Sequence, residues 1–238
     1  MDPKDLTTAV HGGVEVEART GAIMTPIFQT STYVQKAPGE HTGYDYSRAG
    51  NPTRDQLEAA YAALEGVDYG LSFSSGLAAV QAVIQTLEPG CEVLVCDDVY
   101  GGTGRLFRKL FSKYNITFHF VDLCDEAAVS QHLSEKLSMI WVETPTNPLL
   151  KIIDITKMYE HAKKHQALLV VDNTFSSPIF QKPFEFGADI VLHSTTKYMG
   201  GHSDLIGGAL MVKDKELFEK LKFVQFAAGA VPSPFECF

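Results

Sequence analysis

The stretch Ile190–His202, I-V-L-H-S-T-T-K-Y-M-G-G-H, decides how the rest of the chain is read. Ile190, Val191 and Leu192 are apolar, and the first two are β-branched, which is the signal of a short buried strand. Three hydroxyls follow at Ser194, Thr195 and Thr196, then Lys197 and the small pair Gly200 and Gly201. In α/β folds ligands bind at the carboxyl ends of strands, which is where Lys197 falls. Partial desolvation there disfavours the ammonium and leaves a nucleophilic amine. Short neutral hydroxyls beside the lysine suit a phosphate. An amine together with phosphate donors is what pyridoxal phosphate (PLP) requires. A solvated lysine in a Ser/Thr loop fits the same residues, and on this stretch alone both readings stand.

Bulk properties narrow the classes. A chain of 238 residues buries a sizeable core and makes one large domain, or one domain with an appendage. A net charge of −9 and a pI near 5.3 argue against a nucleic-acid or anionic-membrane surface. Cys91, Cys96, Cys124 and Cys237 show no C-x-x-C spacing, so neither a zinc site nor a disulfide framework is indicated. The opening M-D-P-K-D-L lacks the basic and apolar regions of a signal peptide, and no apolar run approaches membrane-spanning length. A soluble, cytoplasmic protein is expected.

On either side of Ile190–His202, strands and helices alternate. Strands are predicted at 69–73, within 91–100, at 117–122, from 138, at 167–172, at 188–192 and at 208–212. Helices are predicted from Thr53 to Gly66 on Leu57, Ala60, Tyr61 and Leu64, from Gly76, around Leu106, Phe107, Leu110 and Phe111, and over 126–137, 155–166 and 215–225. Continuous apolar strands alternating with helices imply an α/β fold, a mostly parallel seven-stranded sheet with helices on both faces. Residues 1–48 differ: few periodic apolar positions and many short polar ones read as an extended arm, ordered only by lying on its own domain or on a neighbouring subunit. Residues 49–238 make the large domain.

The strand ends converge. Ser75 and Gly76, Tyr100, Asn147, Asp172 and the Ser194–Lys197 run all fall at carboxyl ends of predicted strands. Ser75 and Gly76 open a helix, where free amides and the positive dipole end favour a phosphate, although Ser75 also reads simply as an N-cap. Asp172 after L-L-V-V suits the ring nitrogen of PLP, and Tyr100 suits its ring face or the edge of a core. Arg48 in Y-D-Y-S-R-A-G-N-P-T (44–53) fits either a phosphate fork or a solvated loop.

The segments Y-S-R-A-G-N-P-T, F-S-S-G-L-A-A, V-Y-G-G-T, V-E-T-P-T-N-P, V-V-D-N-T-F-S-S-P and H-S-T-T-K-Y-M-G-G-H-S-D together resemble the Cys/Met-metabolism PLP enzymes. That group includes cystathionine γ-lyase, γ-synthase and β-lyase and methionine γ-lyase, and has the aspartate-aminotransferase-like, type I fold. The resemblance implies that Lys197 is the Schiff-base lysine, Asp172 the ring-nitrogen partner, and Tyr100 a stacking residue that helps shuttle protons. It implies that Ser75, Gly76, Leu77, Ser194 and Thr196 bind the phosphate, and that Tyr46 and Arg48 reach the phosphate of a neighbouring subunit. Asn147 would lie near the cofactor hydroxyl and the substrate carboxylate. A homotetramer built of active dimers, a small-molecule sulfur amino acid substrate and no metal are likewise implied.

Two departures shape the expectation. Methionine γ-lyases typically carry a cysteine in the loop after the stacking tyrosine, and here it reads Tyr100-Gly101-Gly102-Thr103. The chain also ends at V-P-S-P-F-E-C-F (231–238), where relatives continue into a small C-terminal domain carrying the arginine for the substrate carboxylate. The expected activity is therefore α,γ-elimination of cystathionine to cysteine, 2-oxobutanoate and ammonia. A γ-synthase, a β-lyase or an inactive PLP-binding remnant are the alternatives. His161 and His165 have metal-compatible spacing but read as a polar helix face, and His193, His202 and Asp204 as polar lining of the cofactor site.

Overall fold

Seven short strands build one sheet because most are runs of apolar residues, several of them β-branched, that end in a turn. A computed structural model describes residues 3–238. Strands β1 (Tyr69–Phe73), β2 (Glu92–Cys96), β3 (Thr117–Val121), β4 (Leu137–Glu143), β5 (Leu168–Asp172), β6 (Ile190–His193) and β7 (Gly208–Val212) lie in the order β1-β7-β6-β5-β4-β2-β3. All neighbours are parallel except β7, which runs antiparallel to both β1 and β6. The carboxyl ends of the other strands therefore share one edge.

The helices are α1 (Pro3–His11), α2 (Pro52–Glu65), α3 (Gly76–Ile84), α4 (Gly101–Lys109) and α5 (Glu126–Ser130), then α6 (Ile155–His165), α7 (Ser177–Phe180), α8 (Lys215–Ala228) and α9 (Pro234–Cys237). Side chains alternate across the sheet, and β6 shows which helix covers which face. Ser194, just past β6, packs against the start of α3, while His193 points the other way and bonds Glu65 of α2. Val93, Leu94 and Val95 of β2, Ile140 and Val142 of β4, and Leu169 to Val171 of β5 are fully buried. Each such side chain contributes about 1.5–3 kcal/mol relative to exposure.

Three expectations change. Residues 3–11 of the predicted arm form helix α1; Leu6 is 52% and Val10 69% exposed, so no buried stripe marked that helix in the sequence. Met1 and Asp2 lie outside the described residues. The helix predicted over 126–137 stops at Ser130, because the following residues are drawn to the sheet: the Ser134 hydroxyl donates to Glu92 at 2.9 Å, and the Glu92 amide donates to the Lys136 carbonyl at 2.9 Å. Helix α2 forms where expected, capped by Asn51 and ended by a left-handed Gly66, but its buried stripe is Arg54, Glu58, Tyr61, Ala62 and Glu65 rather than the leucines. The polar members are bonded: Glu58 Oε1 accepts from the Ser72 amide and hydroxyl and from Gln225 Nε2.

The arm lies on the start of α2. The Thr53 hydroxyl donates to the Pro26 carbonyl and accepts from the Phe28 amide, and Asn51 Nδ2 donates to the Phe28 carbonyl, each at 2.9 Å. Among the described residues no helix is long and apolar enough to cross a membrane.

Candidate active site

A cleft of about 320 Å³ opens at the carboxyl edge of the sheet. Its anion-friendly end is the start of α3. Ser75 is the N-cap, its hydroxyl accepting from the Ala78 amide at 3.1 Å, so both readings of that serine hold. The amides of Gly76 and Leu77 in the first turn have no carbonyl of their own helix to bond. Opposite them, β6 runs into the turn that carries Ser194, Thr196 and Lys197. This turn is held by backbone bonds from Lys197 to Ser194 and from Gly201 to Lys197, at 3.1 and 2.8 Å. The two sides approach so closely that a Cβ on Gly76 would lie 3.0 Å from Ser194 Cβ, and one on Gly208 only 2.3 Å from the Ser75 carbonyl oxygen.

The floor is acidic. Asp172, closing β5, accepts on Oδ1 from the Thr174 amide at 3.1 Å and its hydroxyl at 2.5 Å. Burial raises its carboxyl above the ordinary range, while the Thr174 bonds and His193 pull the other way. Glu143, closing β4, stands opposite Asp172 in the strand register, and its Oε2 accepts from the Tyr100 amide at 2.8 Å. Burial, then the Asp172 charge, raises the Glu143 carboxyl as well.

Tyr100 and Lys197 form the rim. Tyr100 precedes α4 and is 47% exposed, its ring lying over Gly102, where an added Cβ would come within 2.3 Å of it. Lys197 is also exposed, so its amine is not withdrawn from water as the sequence led one to expect. Asn147 sits between two cis peptide bonds, Thr144–Pro145 and Asn147–Pro148, and its amide donates to the Asp98 carbonyl at 3.3 Å. Asp98 also takes the Thr146 hydroxyl at 2.6 Å and the Leu149 amide at 2.8 Å, tying this loop to the turn that leads to Tyr100.

Every residue expected to hold the cofactor or move protons lines this cleft except Tyr46 and Arg48, whereas His193, His202 and Asp204, expected as its polar lining, do not. Arg48 Nη1 instead donates to the Phe226 carbonyl at 2.6 Å, and the guanidinium lies 4.5 Å from the Phe226 ring centre. Tyr46, 5.2 Å from the same guanidinium, is exposed. Glu143, Thr103, Thr174 and Phe175 also line the cleft and were missed. Glu143 carried the same signal as Asp172, a carboxylate straight after a buried strand. His193 does not line the cleft: as the next residue along β6 after Leu192 it faces α2, fully buried. His202 is exposed, its ring against the Gly200 carbonyl.

The donor set fits a phosphorylated pyridine aldehyde. One end offers unpaired amides with hydroxyls, the floor a buried carboxylate that a ring cation would stabilise, and the rim an amine.

Comparison with known proteins gives the same picture. Residues 6–238 match the family described as Cys/Met metabolism PLP-dependent enzyme. A probable cystathionine γ-synthase of Herpetosiphon aurantiacus is 51% identical over 237 residues, 100% of this chain and 74% of that protein. A cystathionine β-lyase of Coxiella burnetii is 49% identical, over 98% of this chain and 60% of that protein. The crystal structure of cystathionine γ-lyase from Lactobacillus plantarum, complexed with L-serine, superposes with a TM-score of 0.95 at 43% identity, covering 100% of this chain and 61% of that one. The chain thus spans 60–74% of the length of the curated relatives named here.

Proposed function

Because the chain belongs to the Cys/Met metabolism PLP-dependent enzyme family, matched over residues 6–238, we propose that it is the cofactor-binding part of an enzyme cleaving the γ-carbon–sulfur bond of cystathionine. The observation that carries this reading is the cleft itself, with the Lys197 amine, the Asp172 carboxylate and the amide-lined start of α3 around one space. In this reading Ser75, Gly76, Leu77, Ser194 and Thr196 hold the phosphate, Asp172 faces the ring nitrogen, Tyr100 lies on the ring and Asn147 meets the substrate carboxylate.

PLP, when bound, supplies an electron sink for charge developing at the substrate α-carbon. The chain's own residues do the rest. Lys197 Nζ would take the proton from the α-carbon; Lys197 or the Tyr100 hydroxyl would then take a proton from the β-carbon as the γ-carbon–sulfur bond breaks, the sulfur leaving protonated as cysteine and the γ-carbon being protonated afterwards. Water then completes release of 2-oxobutanoate and ammonia beside cysteine. Residues 1–48 are proposed as an arm that contacts a neighbouring subunit, bringing Tyr46 and Arg48 to its phosphate. Residues 49–238 are proposed as the large domain, within a cytoplasmic homotetramer.

A γ-synthase is the second reading, favoured by the Herpetosiphon relative; it shares the early proton transfers and joins cysteine to an activated homoserine. The test is a visible absorption spectrum of the chain with PLP, before and after borohydride, beside Lys197→Ala. A band that reduction fixes to the protein and that the variant lacks supports the reading; its absence after added PLP overturns it for this chain. Assays with cystathionine alone, and with activated homoserine plus cysteine, separate lyase from synthase and either from an inert remnant.

A further inference from the structure

At the floor of the cleft two neighbouring parallel strands both end in carboxyl groups, and their surroundings differ. Glu143 is 5% and Asp172 7% exposed, and they oppose one another in the register of β4 and β5. Asp172 receives both an amide and a hydroxyl from Thr174, at 3.1 and 2.5 Å. Glu143 receives the Tyr100 amide at 2.8 Å, and the Asn147 amide also favours its charged form, so the two carboxyls are distinguished by the charges around them rather than by their number of donors.

We propose that Glu143 and Asp172 share one negative charge, with the proton resident on Glu143 and the charge on Asp172. Two adjacent carboxylates withdrawn from water cannot both ionise without a large cost, so the pair titrates as a unit. The groups around it decide the partition. Beyond β2, Asp98 adds negative potential at Glu143, and the nearby Cys96 thiol is itself raised by burial and by Glu143. On β6, His193 favours the charged form of Asp172, as do the Thr174 donors. Tyr100 and Lys197 stand at the rim of the same cleft.

This partition deepens the PLP reading. It presents one carboxylate to a ring cation and removes a second anion from a site that must also accept a phosphate. Glu143 is then a positioning residue: as a neutral acid it still accepts the Tyr100 amide and holds the start of α4.

The test uses the chain without cofactor, so it stands whether or not PLP binds. A carboxyl whose folded pKa lies above its unfolded value contributes stability that is complete below the unfolded pKa and lost as pH rises to the folded one. The Glu143 carboxyl is raised from 4.5 to about 8, which sets the window. Between about pH 5 and pH 8 the Tm of the wild-type chain should fall further than that of Glu143→Gln, by about 5 °C, since the amide mimics the neutral acid. Glu58, also buried and raised, adds the same slope to both chains and cancels. Parallel curves overturn the proposal. If the glutamine variant does not fold, infrared titration of the protonated-carboxyl band in the wild type and in Asp172→Asn replaces it. A midpoint that drops in the variant supports the partition; an absent band or an unmoved midpoint overturns it.

Discussion

His193 Nε2 and Glu65 Oε1 meet at 2.6 Å with neither side chain exposed, on the face of the sheet away from the cleft. Glu65 Oε1 also accepts from Asn173 Nδ2 at 3.1 Å, so one carboxylate oxygen anchors the ends of β5 and β6 to α2. Glu65→Ala takes the partner from the buried His193 Nε2, costing about 1–3 kcal/mol, and one of two acceptors from Asn173 Nδ2, which keeps the Gln181 carbonyl. Urea unfolding of the variant should show that loss. A midpoint equal to the wild type would mean that the helix does not depend on this anchor.

Gly76→Ala separates binding from folding. Gly76 is the first residue of α3 with an ordinary backbone angle, so alanine there keeps the helix and the chain should still fold cooperatively. The added Cβ would meet Ser194 Cβ at 3.0 Å and shift the phosphate end of the cleft. PLP affinity, measured by absorbance titration, should fall about tenfold or more, equivalent to ~1.4 kcal/mol. Unchanged affinity would move the phosphate away from the start of α3.

Lys151→Met probes the Asn147 loop. Lys151 Nζ bridges Asp97 and Asp122, each at 2.9 Å, and its hydrogen bond holds the Asp122 carboxyl below the usual range. These side chains are screened by solvent, so the loss of stability at neutral pH should be small. Because a lowered carboxyl contributes stability above its unfolded pKa and loses it as pH falls through its folded pKa, the difference between variant and wild type should shrink as the pH drops below the ordinary carboxyl range. A gap that persists in acid would assign the effect to packing of the lysine stem.

Leu94→Ala tests the core beneath the site. Leu94 is fully buried between β3 and β4 on the middle of β2. The substitution should cost about 2–5 kcal/mol in denaturant unfolding. A loss below about 1 kcal/mol would mean that the neighbouring strands close over the space.

Strand positions and most of the cleft were legible because apolar runs of four or five residues ending in Asp172 or Ser194 carry both the sheet and its functional edge in one local pattern. Polar burial was not legible. Arg54, Glu58 and Glu65 read as the solvent face of α2, yet they lie inside because Ser72, Gln225, Asn173 and His193, all distant in sequence, supply their partners. Glu143 was passed over because the proline-rich turn beyond it drew the reading to Asn147. Helix α1 was not legible because its apolar residues Leu6 and Val10 stay more than half exposed and so form no buried stripe.

Strand β7, wedged antiparallel between β1 and β6, has a consequence for the order of assembly. Ser75 and Ser194 are both present once the chain has been made as far as β6, but no strand yet joins β1 to the rest of the sheet. That link waits for Gly208–Val212. The amine and the carboxylate thus belong to a parallel block that can form earlier, whereas the phosphate end arrives with the last strand, a closure across more than half the chain that slows folding more than it alters stability. A nascent chain cut short before residue 208 would carry the lysine turn with no partner helix to face it.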